Sequence, residues 1–334
     1  MAGSILCLRL PASPIGFAGA FPDKDAQMTD WAAEIETAAA RIRRHVVQTP
    51  VVTLEAFGLD HPVEMKLEQM QHTGSFKARG AFNTLLSQEV PEAGIVAASG
   101  GNHGAAAAFA ARRLGYRAAI FVPEIAGASK IALIERTGAD LTVVPGEYAN
   151  ALEQAEAHEA ATGAMQIHAY DAVPTVAGQG TLMREWEAQG LQADTVLIAV
   201  GGGGLIAGAM AWLGTRRRVI AVEPETSRAL NAALEAGAPV DVSVSGVAAN
   251  ALGARRIGDI CFGLARETRV GSVLVSDAAI TAAQVALWRE ARQLVEPAGA
   301  TALAALMSGA YRPAPGERVA VLVCGGNIAP DPFG

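Results

Sequence analysis

Twenty consecutive residues, Thr195 to Gly214 (TVLIAVGGGGLIAGAMAWLG), carry no charge and place four glycines in a row near their centre. An apolar run of that length is long enough to cross a bilayer as a helix. Each glycine inside a helix costs about 1 kcal/mol relative to alanine, so Gly201–Gly204 argue against one continuous helix. The stretch is predicted as a buried strand, a glycine turn and a second helix. That unit constrains the rest of the chain, because a strand apolar on both faces needs parallel neighbours and helices packed over it.

The neighbours are present. Trp31 to Arg44 has helical periodicity. From Gly94 onward, short apolar runs (GIVAA, RAAIFV, LTVV, AMQIHAY, DTVLIAV, RVIAVEP, RVAVLVC) alternate with helical segments. Those helices are expected over 105–114, 128–137, 147–161, 175–189 and 278–294. The fold class is α/β, with parallel-rich twisted sheets and helices on both faces. Ligands of such sheets bind beyond the carboxyl ends of strands, where glycine turns lead into helices. Three turns of that kind occur: ASGGNHG (98–104), GGGG (201–204) and CGGN (324–327).

A chain of 334 residues with 51% hydrophobic and 18% charged residues has room for a large buried core. Its formal charge of −7 leaves no basic footprint for nucleic acid or an anionic membrane, so a small-molecule partner is expected. Cys7, Cys261 and Cys324 form no C-x-x-C pair, and no histidine pair has metalloprotease spacing. A disulfide framework or zinc site is therefore not expected, and a reducing cytoplasm fits. Residues 1–28 read as a flexible leader, with Met28 as an alternative start, because Arg9, Pro11 and Pro14 interrupt any signal-peptide core.

Gly201–Gly204 can turn backbone N–H groups toward an anion, and the helix behind them adds its positive end. No Lys-Ser/Thr follows, which excludes a P-loop. Gly202-x-Gly204-x-x-Ala207 also fits a dinucleotide-binding pattern, with Glu223 near the position of a ribose contact. That reading leaves Lys77 unexplained. Lys77 stands in QHTGSFKARGAFN (71–83), where Ser75 or Thr73 is the expected helix cap and Phe76 an apolar neighbour. A lysine reacts with an aldehyde only as the neutral amine, and burial or a helix N-terminus lowers its pKa toward that form.

The ordered motifs SFKARGA, SGGNHG, AGQGT, GGGGLIAG, VEP and CGGN resemble the fold type II pyridoxal-phosphate enzymes, in particular the serine/threonine dehydratase and serine racemase branch. The match runs from about Ile35 to Ile328. The resemblance implies a large cofactor-binding domain over residues 29–92 and 172–330 and a small mobile domain over 93–171. It also implies a homodimer. Lys77 matches the lysine that bonds the aldehyde of pyridoxal 5′-phosphate. Phe76 flanks the cofactor, Asn102 matches the residue that hydrogen-bonds its 3′-oxygen, and Gly201, Gly202, Gly203 and Gly204 match its phosphate loop. Glu296 lies beside the ring, and Cys324 faces the pyridine nitrogen. Ser99, Gly100, Asn102 and His103 match the turn that holds the substrate carboxylate, with Ser75 also on the substrate side; His103 reads equally well as a packing histidine beneath the turn.

Three departures narrow the implied function. Gly100 stands where racemases carry a serine that acts as acid and base, so elimination without efficient racemization is expected. Glu223 matches the first ligand of a racemase-type divalent site, but Ala229 stands where its second carboxylate would fall, so that divalent site is expected to be lost or weakened, with a monovalent ion or a carbonyl-based site left open. Ala251 replaces a glycine near the cofactor, with no assignable effect. The chain ends at Gly334, soon after CGGN, so feedback through a C-terminal regulatory domain is not expected. The expected activity is a lyase of amino-acid catabolism that turns L-threonine, L-serine or a close β-hydroxy amino acid into a 2-oxo acid and ammonia. Phenylserine or 3-hydroxyaspartate dehydration, serine racemization and cysteine synthase-like β-replacement are the alternatives.

Overall fold

The computed structural model describes residues 29–328, so the leader expected over residues 1–28 lies outside them. Ten strands form two sheets. The first sheet holds six: β1 (Val51–Leu54), β2 (Val63–Leu67), β7 (Thr195–Ala199), β8 (Arg218–Pro224), β9 (Gly271–Val275) and β10 (Val319–Val323). Its spatial order is β1-β2-β10-β7-β8-β9. The second sheet is wholly parallel and contains β3 (Ile95–Ala98), β4 (Ala118–Pro123), β5 (Asp140–Val144) and β6 (Met165–Gln166), in the order β5-β4-β3-β6.

The two central strands β7 and β10 are buried along their whole length, as uncharged strands covered on both faces must be. β1 pairs antiparallel with β2 at the edge of the larger sheet. Neither β1, β2 nor β9 is among the strands expected from sequence, because each is short and lies next to charged or loop-like residues. AMQIHAY yields only the two-residue β6; Ile167 to Asp171 leave the sheet and run toward the glycine turn.

Helix crossings explain two of the motifs. Helix Lys77–Ser87 packs on helix Val173–Ala188, which packs in turn on helix Gly204–Leu213. A Cβ at Gly178 would lie 2.7 Å from the Cα of Gly80, and one at Gly208 would lie 2.5 Å from the amide nitrogen of Gly180. The glycines of SFKARGA, AGQGT and GGGGLIAG let three helices touch backbone to backbone. That contact fixes the Lys77 helix against the glycine turn.

Candidate active site

Lys77 is the first residue of helix Lys77–Ser87, but neither expected cap is used. The cap position is Phe76, in helical geometry, and no side chain caps the helix. Thr73 has φ of 59°, an outlier for a β-branched residue, and the buried hydroxyls of Thr73 and Ser75 have no hydrogen-bond partner. The first turn is held instead by Arg79. Its Nε and Nη2 donate to the two oxygens of Glu68 at 2.9 and 2.7 Å, and Nη2 also donates to both oxygens of Glu185 at 3.0 Å. Lys66 adds a donor to Glu185 at 2.5 Å, so two buried cations balance two carboxylates.

Antiparallel contacts bring Lys77 to the end of β10. Ser75 bridges Gly325, the amide of Phe76 donates to the carbonyl of Cys324 at 3.2 Å, and that of Gly326 to Gly74 at 2.9 Å. Lys77 Nζ donates to the carbonyl of Ala169 at 2.7 Å and lies 5.2 Å from the Phe76 ring centre. Burial pulls its ammonium down from the usual lysine range to about 8, against an opposing pull from Cys324. The Cys324 thiol lies 3.3 Å from the carbonyl of Ala298, and burial pushes its pKa well up, so it is a neutral thiol at pH 7.

A second group gathers at the start of helix Asn102–Arg113. Asn102 Nδ2 donates to Glu296 Oε1 at 2.6 Å, while its Oδ1 accepts from Asn327 Nδ2 at 2.8 Å. Asn327 Nδ2 also donates to the carbonyl of Thr73 at 2.7 Å. Glu296 stands at the cap of helix Pro297–Met307, and burial raises its carboxyl to about 7 despite the Asn102 bond. Ser99 Oγ accepts from the amide of Gly101 at 3.3 Å. A Cβ at Gly100 would lie 2.4 Å from the Cβ of Ala126. His103 Nε2 lies 2.9 Å from the carbonyl of Ile167, and burial lowers its pKa to about 3, so the ring is neutral.

None of the four glycines has room for a Cβ. A Cβ at Gly201 would come within 2.9 Å of Leu252 Cα, at Gly202 within 2.3 Å of the Tyr170 ring, at Gly203 within 2.6 Å of Cys261 Sγ and at Gly204 within 2.8 Å of the Tyr170 carbonyl. Gly203 has φ of 96° and opens helix Gly204–Leu213, whose first amides have no intrahelical acceptor. Glu223 is not at this turn. Its two oxygens accept from the amides of Leu230 and Asn231 at 2.8 Å, capping helix Ala229–Ala236. A ribose contact there is therefore not available without uncapping that helix. Among the described residues, no group of three or more His, Cys, Asp or Glu side chains is arranged to hold a metal ion.

The structure thus gathers Lys77, Phe76, Ser75 and Cys324 by direct contacts, and Asn102, Glu296, Gly325 and Asn327 beside them. Ala169 and Tyr170, in adjacent positions, link Lys77 to the glycine turn. Sequence reasoning assigns no role to Tyr170, Lys130, Asn327, Arg79 or Glu68. The available signal is charge: Lys130 and Arg79 are cations in otherwise apolar segments, which rarely bury a charge without reason.

The family model described as "Pyridoxal-phosphate dependent enzyme" matches residues 42–325. The chain belongs to this family. Phenylserine dehydratase from Ralstonia pickettii is 36% identical over 295 residues, covering 86% of this chain and 90% of that protein. The solved structure of maize serine racemase aligns with a TM-score of 0.84 at 29% identity, over 90% of this chain and 94% of its own. A solved threonine deaminase from T.th. aligns with a TM-score of 0.82 at 34% identity, over 90% of this chain and 99% of its own.

The pyridoxal-phosphate family assignment agrees with the chemistry of the residues present. The walled glycine turn offers free helix-start amides to a phosphate, Lys77 is an amine tuned toward neutrality, and Cys324 is a neutral group at the end of β10. The unpartnered hydroxyls of Thr73 and Ser75 are further donors near the same space. No described helix is long and apolar enough to cross a membrane.

Proposed function

We propose that the chain is a pyridoxal-phosphate-dependent dehydratase that converts L-threonine, L-serine or a close β-hydroxy amino acid to a 2-oxo acid and ammonia. The observation that carries this reading is Lys77: a first-turn amine brought by burial to about 8 and hydrogen-bonded to the carbonyl of Ala169, whose neighbour Tyr170 packs against the glycine turn. Bound pyridoxal phosphate supplies the electron sink for charge that develops at the substrate Cα. Gly201–Gly204 hold its phosphate, Phe76 packs at its side, and Asn102, oriented by Glu296 and Asn327, keeps one amide hydrogen free for it. Lys77 holds the cofactor and then accepts the Cα proton as general base. Cys324, as a neutral thiol, would offer the cofactor ring no carboxylate partner, so the electron sink that the cofactor supplies would be a moderate one.

Gly100 supports elimination over racemization. It has no side chain to deliver a proton, and the space its Cβ would take is filled by Ala126. Ser99, Gly100, Asn102 and His103, with Ser75, form the substrate side. Residues 93–171, which contain the whole four-stranded sheet, act as the smaller moving domain against 29–92 and 172–330. The working protein is a cytoplasmic homodimer with no nucleic-acid or membrane partner. Phenylserine is a second substrate reading, favoured by the 36% identity to the Ralstonia pickettii enzyme.

The test is 2-oxo acid release from L-threonine, L-serine, phenylserine and 3-hydroxyaspartate with pyridoxal phosphate present. Turnover of at least one is expected, with no build-up of the mirror-image amino acid. Release from none of the four, alongside β-replacement with sulfide and an O-acylated serine, would overturn the assignment.

A further inference from the structure

Lys130 is a buried cation for which the reading above has no use. It lies in the first turn of helix Ala128–Glu135, only 8% exposed. Its Nζ donates to the carbonyl of Asn250 at 3.2 Å, and among the described residues it forms no ion pair. An ammonium has three donors, and a buried one without a negative partner is costly to keep. Glu296 attracts it from a distance and opposes the effect of burial, but Glu296 Oε1 is already engaged by Asn102.

Its surroundings indicate what is missing. The Asn250 carbonyl that accepts from Lys130 also lies 3.6 Å from the Cβ position of Gly101, so the ammonium borders the Ser99–Asn102 turn. That turn opens helix Asn102–Arg113, which has no side-chain cap and leaves its first amides free. The fully buried Ser75 hydroxyl has no partner and belongs to the residue that bridges Gly325. A Cβ at Gly325 would lie 3.3 Å from Asn102 Nδ2. Free amides at the turn and an under-satisfied ammonium beside it suit an anion, while the orphaned Ser75 hydroxyl belongs to the neighbouring strand bridged to Gly325.

We infer that Lys130 determines specificity at the substrate site, as the cationic partner of the amino acid's α-carboxylate at the Ser99–Asn102 turn. This rests on the dehydratase reading. The carboxylate is then recognised by a point charge as well as by backbone amides, and substrates whose carboxylate is masked lose that contact. A purely structural role is the competing explanation, with Lys130 only fastening the Asn250 segment.

The two are separated by comparing L-threonine with L-threoninamide in the wild type, Lys130→Met and Lys130→Arg. Lys130→Met is expected to lower kcat/KM for L-threonine on the order of 10- to 100-fold, chiefly through KM, and to leave L-threoninamide within about threefold. Lys130→Arg keeps the charge and restores most of the preference. The affinity for L-alanine, which has no β leaving group, falls by the same factor when read by absorbance, while that for L-alaninamide and for pyridoxal phosphate does not change. Equal losses for acid and amide, or no loss for either, would overturn the proposal. Should the wild type dehydrate nothing, the dehydratase reading fails, and the L-alanine and L-alaninamide affinities still decide the role of Lys130.

Discussion

Two turns in this molecule share one plan, strand to glycine turn to helix, yet their walls differ. At Gly201–Gly204 every glycine faces an obstacle within 2.9 Å, supplied by Leu252, Tyr170 and Cys261. At the Ser99–Asn102 turn, Gly100 is pressed against Ala126, but Gly101 meets nothing nearer than the Asn250 carbonyl at 3.6 Å. In the proposed function the first turn is a tightly walled cradle for the cofactor's phosphate. The second leaves room for a methyl group at Gly101, on the side facing Asn250. Each turn also has its own electrostatics. The cradle offers only backbone amides, whereas the second turn adds Asn102, Glu296 and Lys130.

In the proposed function Lys77 serves both turns, so its loss has the largest expected effect. Lys77→Ala should lower 2-oxo acid release by at least about 10³-fold, since it removes both the cofactor bond and the general base. A variant that retained most of its turnover would detach both turns from the chemistry.

The rigidity of the cradle is tested next. In Gly202→Ala the new methyl group meets the Tyr170 ring at 2.3 Å, and Tyr170 cannot retreat freely because its own backbone abuts Gly204. Overpacking of this kind costs about 1–3 kcal/mol. Affinity for pyridoxal phosphate, read by titration of the purified protein, should fall by about 10- to 100-fold, as that cost converts. Unchanged affinity would mean that the wall yields.

Much of this is legible in the sequence, for identifiable reasons. The uncharged strands β7 and β10 announce a covered parallel sheet, and glycine clusters mark the strand-to-helix turns. Lys77 is visible because its neighbours are unusual for a surface lysine. The absence of caps at Ser75 and Thr73 is not legible, because cap rules are local while Arg79 holds that helix through Glu68 and Glu185, which lie far apart in the chain. Glu223 looks like a ligand contact by its spacing; only the tertiary path shows the amides of Leu230 and Asn231 taking both its oxygens. Tyr170 falls within an expected strand, and its packing on Gly202 depends on the chain leaving the sheet after β6.

The difference in electrostatics predicts a pH effect at the second turn. Burial raises Glu296 from 4.5 in the unfolded chain to about 7. Between those values the folded state binds the extra proton, so this group stabilises the fold at low pH and loses that contribution as pH rises through the window. Glu296→Gln lacks the slope. From pH 5 to pH 8 the wild type should lose about 1–3 kcal/mol relative to the variant, measured by urea unfolding of both proteins at each pH. Parallel behaviour would mean that Glu296 stays ionised throughout, satisfied by Asn102 and Lys130.

The smallest expected effect is the most direct test of slack. Gly101 has extended φ and ψ of −127° and −155°, which alanine adopts without strain. Its Cβ would make only ordinary van der Waals contact, with the Asn250 carbonyl at 3.6 Å. Gly101→Ala should therefore stabilise the fold slightly, by about 0.4–1 kcal/mol, because alanine restricts the unfolded chain. The kcat/KM for L-threonine should stay within about threefold of wild type, given how little the added methyl displaces. A Tm that rises while kcat/KM falls tenfold or more would show that the turn must close on Asn250 during turnover, making its slack a moving part that the alanine blocks.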